Sequence, residues 1–471
     1  MTILTRRGFL AAGVAASAMT QFPRAGAAQD PALRLRAETR VLDIDGRAAA
    51  VWGLSGPGGQ GLTLDPGQRF RVDLTNDLPE PTLIHWHGQI PPNAQDGVPD
   101  MPRPKLAPGE TRGYDFATIP GTFWMHAHIP LHEMRLLAAP LIVRSEADLA
   151  ADRQEVVMFL HDFAFAPPEE VMAEIAGGGH AAPDQGPMPG MGHGAMPGMA
   201  MDLNDYEWDA YLANDRTIRD PEATRVERGG RVLLRIVNAA AATVFRIDTG
   251  GLEARLVAVD GHGVAPVAGA RFGVAMAQRL DLEIDLPGEG AWPILALREG
   301  GRERAGLILA TAGAEVRKIA PVSDAPAPAF DRDLAQESRL SALNPPPARK
   351  AERRHVAMLG GAMRPYRWTI NGQVWGEHVP LEARSGERVE IAFHNMSMMS
   401  HPMHLHGHVF QVVELNGRRF GGAMRDTLHV PPMSMATVAL DAGEAARWML
   451  HCHHMPHLES GMMTEFAVTP A

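Results

Sequence analysis

The sequence predicts an all-β protein, a chain of consecutive β-sandwich domains. Length is the first reason: at roughly 150 residues per domain, 471 residues make about three. Composition is the second, since 38 prolines and 48 glycines supply turns throughout, while 45% hydrophobic residues remain to fill cores. The third is pattern: short runs of alternating or clustered apolar residues recur between Gly and Pro turn signals.

The elements follow in chain order. Thr5-Arg6-Arg7-Gly8-Phe9-Leu10 opens a twin-arginine export signal, the small-residue apolar run Ala11 to Met19 continues it, and Ala25-Gly26-Ala27 supplies a cleavage site. Residues 1–28 are therefore expected to be a signal peptide read by the Tat export machinery, and the mature chain to be periplasmic. The apolar run is too short to cross a bilayer, so no stable membrane span is expected. A first sandwich, residues 29–146, has strands at Ala37 to Ile44, Arg69 to Asn76, Thr111 to Phe116 and Gly121 to His126, closing on Pro140 to Val143. A second, residues 147–319, has strands near Glu155 to Met158, Arg231 to Asn238, Leu252 to Asp260 and Leu307 to Leu309, with a Met-rich loop at 187–201. Residues 320–354, rich in Pro, Ala and charge, read as a linker, and a third sandwich occupies 355–471. The net charge of −11 argues against a nucleic-acid partner.

Chemistry concentrates near the C-terminus, in His451-Cys452-His453-His454-Met455-Pro456-His457 with Met462 beyond it. Cys452 is the only cysteine, so no internal disulfide can engage it. Two imidazoles, one thiolate and a weak axial thioether are the ligand set of a blue-copper electron-transfer centre. Cys452, His457 and Met462 supply three of these. His401, which opens His401-Pro402-Met403-His404-Leu405-His406, is the natural fourth. Adjacent strand residues point to opposite faces, so His451 and His453 face away from the thiolate, toward a second metal site. His85-Trp86-His87, His126-Ala127-His128 and His404-Leu405-His406 each place two imidazoles on one side of a strand. With His451 and His453 they make eight imidazoles in four pairs, enough for a three-metal cluster.

On these four motifs the chain resembles the multicopper oxidase family, of the three-domain laccase and periplasmic cuprous oxidase kind, over essentially the whole mature chain. The resemblance implies three cupredoxin-like Greek-key sandwiches and four copper ions. It makes His401, Cys452 and His457 the type 1 ligands with Met462 axial, and His85 and His404 the type 2 ligands. His87, His126, His128, His406, His451 and His453 then hold the binuclear type 3 pair, and the three-copper cluster lies between the first and third domains. The second domain, which carries no matched ligand, is expected to be a spacer. O2 is the implied acceptor, because four coppers can store the four electrons its reduction to water takes.

The implied electron donor is Cu(I), giving a role in copper tolerance. Met188, Met191, Met196, Met199 and Met201, with His193, sit among Gly and Pro that build no packed element, and thioethers with no core to fill suit Cu(I). The plainer reading is a low-complexity loop whose methionines are incidental. Met399 matches a methionine that helps hold substrate in cuprous oxidases of the copper-tolerance type, but Ser397 stands where those relatives carry an acid. Asp96, in an Asp-Gly turn, matches the family aspartate near the type 2 copper and is the candidate proton relay. Some relatives place an acid directly after the last type 1 histidine; here Leu458 occupies that position and Glu459, next along, is a second relay candidate. The alternatives are a laccase-like oxidase of phenols or another small organic donor, or of Mn(II) or Fe(II). A non-catalytic envelope scaffold or copper store is disfavoured by the full set of matched ligands.

Overall fold

A computed structural model describes residues 31–178 and 203–471. The export signal and the methionines read at 187–201 lie outside the described residues. The described residues form six sheets, paired in sequence order into three sandwiches.

The first sandwich begins with a hairpin. Leu33–Ile44 pairs antiparallel with Arg47–Gly56, and Ile44 opposes Arg47, leaving Asp45-Gly46 as a two-residue turn. Both turn residues have positive φ, 53° and 89°, which the right-handed strand twist favours and Asp-Gly tolerates. Leu33–Ile44 also pairs in parallel with Phe70–Asn76, whose apolar residues Phe70, Val72 and Leu74 turn inward by strict alternation. The facing sheet orders Leu62–Leu64, Ala138–Val143, Gly121–Ala127 and Ile84–His87. The histidine strand Ile84–His87 is thus an edge strand, yet all four of its residues are buried. An open edge presents unpaired backbone groups, and here the third sandwich covers it.

The second sandwich packs a seven-stranded sheet, with Gln154–Phe163 and Arg231–Asn238 paired in parallel near its middle, on a five-stranded sheet. Its Val, Leu and Ile side chains form the largest apolar cluster. In the third sandwich a five-stranded sheet orders Leu381–Arg384, Met463–Thr469, Arg447–Cys452, His401–Leu405 and Thr427–Val430. That order sets the two ligand-bearing strands side by side, with Met403 opposite Cys452 and His404 opposite His451.

Thr111–Phe116 and Arg231–Asn238 have the bounds the sequence indicates, while Leu33–Ile44 and Gln154–Phe163 run further than expected. Residues 320–352 form no strand. They lie along the second sandwich through isolated bridges Val322–Glu303, Ala327–Glu299 and Ala342–Val264, and Glu337 forms a buried pair with Arg425 of the third sandwich at 2.8 Å. Among the described residues no helix is long and apolar enough to cross a membrane.

Candidate metal centre

Cys452 ends its strand, and the short helix Met455–Glu459, entered through Pro456 in its first turn, brings His457 back beside it. Cys452 Sγ lies 3.7 Å from His401 Nδ1 and 3.7 Å from His457 Nδ1, and the two nitrogens are 3.2 Å apart. All three residues are fully buried. Met462 is equally buried in the same apolar cluster; its carbonyl accepts from the Cys452 N–H at 3.1 Å and its N–H donates to the His457 carbonyl at 3.0 Å. Burial drives both imidazoles well below their ordinary pKa, with His401 further disfavoured by His457, and burial pushes the Cys452 thiol up. Two neutral imidazole nitrogens converging on a thiol whose ionisation burial disfavours, and a cation would favour, make a soft metal site.

The outer nitrogens of these rings are held as well. Ser397 Oγ lies 2.8 Å from His401 Nε2, and the Ser397 hydroxyl donates to Asn395 Oδ1 at 2.8 Å. His401 Nε2–H therefore donates to Ser397, which leaves the Nδ1 lone pair facing Cys452. His457 Nε2 faces Asp205 Oδ2 at 3.5 Å, and the Tyr366 hydroxyl donates to the same carboxylate oxygen at 2.5 Å. Trp368 covers His457, with ring centroids 4.1 Å apart.

The eight paired histidines converge on one pocket between the first and third sandwiches. Potential metal-holding groups are His85, His87 and His404; His87, His126 and His453; and His128, His406 and His451. Facing nitrogens stand 3.4 Å apart for His85 and His404, 3.4 Å for His126 and His453, and 3.1 Å for His128 and His406. Desolvation, reinforced by neighbouring imidazoles, holds His87, His126, His128, His404, His406 and His453 well below the ordinary histidine range. His451 is lowered to about 3, again chiefly by burial. Lone pairs of neutral imidazoles that face each other at such distances repel, and cations placed between them relieve the repulsion. The donor set therefore fits metal ions.

Three carboxylates grip this pocket from behind, and each touches one histidine of the first sandwich and one of the third. Asp96 Oδ2 is 2.8 Å from His406 Nδ1 and its Oδ1 is 3.4 Å from His85 Nδ1, while its main-chain carbonyl accepts from His85 Nδ1 at 2.8 Å. Asp426 Oδ1 is 3.0 Å from His87 Nε2 and 3.7 Å from His404 Nδ1. Glu133, on the turn of helix Pro130–Glu133, is 2.7 Å from His126 Nδ1 and 3.8 Å from His453 Nδ1. Burial raises the Glu133 carboxyl well above the carboxylate range. Where an acceptor stands behind a ring, as for His85, His87, His404 and His406, it fixes which nitrogen carries the proton and leaves the other for metal.

The second sandwich is more than the spacer that its lack of ligands suggests. Its Arg279, fully buried, grips Asp426 with both terminal nitrogens at 2.8 and 2.5 Å, and Asp205, also from this part of the chain, stands behind His457. Burial removes water from all of these groups, so they act at full electrostatic strength.

Of the other residues singled out from sequence, Met399 is buried in the apolar cluster around Cys452 and its carbonyl accepts from Asn395 Nδ2 at 2.8 Å. Glu459 lines a cavity of about 350 Å³ together with His128, Trp375 and Leu458, and partial burial raises its carboxyl. Glu133, Asp426, Asp205 and the inward-turned Ser397 are site residues that the motifs did not reveal.

Multicopper oxidase sequence profiles match residues 38–148, 157–313 and 349–471. The chain belongs to the multicopper oxidase family. It is 30% identical to multicopper oxidase MmcO of Mycobacterium tuberculosis, over 98% of this chain and 96% of that protein. Copper resistance protein A of Escherichia coli is 25% identical over 88% of each chain. The crystal structure of a multicopper oxidase from Pseudomonas thermotolerans superposes with a TM-score of 0.69 at 24% identity, covering 93% of this chain and 98% of the other. This multicopper oxidase is thus an oxidoreductase built of three cupredoxin-like sandwiches, and its buried histidine and cysteine groups fit the copper ions that the family name implies.

Proposed function

We propose that this multicopper oxidase oxidises Cu(I) to Cu(II) one electron at a time and reduces O2 to water, serving copper tolerance in the periplasm after Tat export. The observation that carries this reading is the Cys452 strand, whose thiol joins one histidine group while His451 and His453, its covalent neighbours, join the others. In the proposal His401, Cys452 and His457 hold the type 1 copper with Met462 axial, His85 and His404 the type 2 copper, and His87, His126, His128, His406, His451 and His453 the type 3 pair. Bound copper would supply the redox chemistry, cycling between its two oxidation states and storing the electrons that O2 consumes.

The chain's own residues do the rest. Asp96, Asp426 and Glu133 orient the imidazoles, so that little reorganisation accompanies electron transfer. Asp96 Oδ1 has no hydrogen-bond partner among the described residues, which suits the role of proton relay, and Glu459 stands in the cavity that reaches His128. That cavity offers O2 a way in and water a way out. Kinship with a copper resistance protein supports Cu(I) as donor. One observation favours the second reading, a laccase-like oxidase of phenols or of Mn(II) or Fe(II): Ser397 spends its hydroxyl on His401 and leaves Met399 without a neighbouring acid at that position. Steady-state kinetics with Cu(I) and with a phenol decide between them. A Cu(I) kcat/KM well above that for the phenol, falling when residues 187–201 are deleted while phenol turnover holds, supports the proposal. The reverse preference assigns the laccase-like role.

A further inference from the structure

Five of the exposed large apolar side chains among the described residues are methionines, Met358, Met396, Met398, Met433 and Met435, and all five belong to the third sandwich. Two of them, Met358 and Met435, stand on strands of its seven-stranded sheet that flank the strand of His394. Met358 on Arg353–Met363 stands in register with His394 on Arg388–Asn395, and His394 stands in register with Met435 on Met435–Asp441. Residues in register across neighbouring strands share a face, about 5 Å apart, within reach of one ion through long side chains. The face is the outer one: Ala357, Leu359, Phe393, Asn395, Ser434 and Ala436, the chain neighbours of the three, are all buried.

A second row continues the first. Met396 lies two residues beyond His394 and Met433 two before Met435, and the segments are tied by the Met396 N–H to the Leu359 carbonyl at 2.9 Å and the Asn395 N–H to the Ser434 carbonyl at 2.9 Å. The His394 imidazole has neither a hydrogen bond nor an ion pair among the described residues. These methionines are 37 to 63% exposed, and five on one part of one sandwich is not the scattered pattern of an ordinary surface. An unpartnered imidazole between two thioethers is a ligand set for a soft monovalent ion, and it carries no carboxylate to favour a hard one.

We infer that Met358, His394 and Met435 form a surface site for Cu(I), with Met396 and Met433 beside it, distinct from the four copper positions and outside the family's ligand motifs. The inference deepens the Cu(I) reading and rests on it for its role, delivery of the ion toward His401. The loop that follows, Met396 to Ser400, leads from this row to that histidine and carries the exposed Met398 and the buried Met399. As a binding site, however, it stands or falls separately.

The test uses Ag(I), a redox-inert stand-in for Cu(I), titrated into the copper-loaded full chain against a competing chelator. The variant is Met358→Leu/His394→Ala/Met435→Leu, all surface changes that keep apolar volume at the two methionines. The site predicts the loss of one Ag(I) equivalent, or its weakening by about 100-fold, given that losing even an indirect support of a ligand costs roughly 10–100-fold. It also predicts a raised KM for Cu(I) with kcat retained. Unchanged Ag(I) stoichiometry and affinity in the triple variant overturns the site, whatever the donor proves to be. Loss of the Ag(I) equivalent in an enzyme that does not oxidise Cu(I) upholds the site and overturns the donor reading instead.

Discussion

His451 and Cys452 are neighbours on one strand but serve different groups: the thiol lies 3.7 Å from His401 and His457, and the imidazole Nε2 lies 3.1 Å from that of His406. The alternation of a β-strand produces this division with no further device. Two residue groups of different chemistry thereby share one peptide link.

Glu133 supports His126 and His453 from opposite sides of the domain boundary. Glu133→Gln removes the carboxyl that stands 2.7 Å from His126 Nδ1 and 3.8 Å from His453 Nδ1, so copper affinity is expected to fall by roughly 10–100-fold. Copper per chain after dialysis against a chelator measures it. Retention equal to that of the unaltered protein would deny Glu133 this role.

Asp426 neutralises the fully buried Arg279 while supporting His87. Asp426→Ala leaves that guanidinium with the more distant Asp260, at 3.8 Å, as its one carboxylate among the described residues, and is expected to cost about 3–5 kcal/mol of stability. Urea unfolding of the copper-free chain reads this loss independently of metal binding.

Ser397→Ala removes the acceptor of His401 Nε2–H at a buried position. The expected cost is about 1–3 kcal/mol, accompanied by a shift in the potential of the blue centre as the ring loses its anchor. Ser397→Thr, which keeps the hydroxyl, should restore the potential. Redox titration of the blue absorption compares the two.

His161 lies away from the metal pocket, donates from Nδ1 to the Ala239 carbonyl and is lowered by burial to about 4. Its folded form is neutral and its unfolded form titrates near 6.5, so the unfolded chain binds the proton first as pH falls. The contribution to stability is full above pH 6.5 and is lost progressively toward pH 4. Between pH 7 and pH 5 the unaltered chain should lose about 2 kcal/mol relative to His161→Gln, as measured by urea unfolding at both pH values.

The candidate ligands were legible in sequence because each pair is local, two residues apart on a strand, and Cys452 has no rival. Their supports were not. Asp426 meets His87 from 339 residues away, and Asp205 faces a histidine of another sandwich, contacts that only the packing of the three domains creates. The Met-His-Met row is hidden for the same reason: Met358, His394 and Met435 share no motif, and only strand register aligns them. Residues 320–354 read as a linker because Pro, Ala and charge are plentiful there; the backbone bridges that tie Val322, Ala327 and Ala342 to the second sandwich are not encoded in composition.

Copper content and absorption of Cys452→Ser, compared with the unaltered protein, test the central claim most directly. The account predicts four coppers and an intense blue band in the unaltered chain, and in the variant three coppers, no blue band and no turnover of any donor. A blue band or undiminished turnover in Cys452→Ser would contradict it.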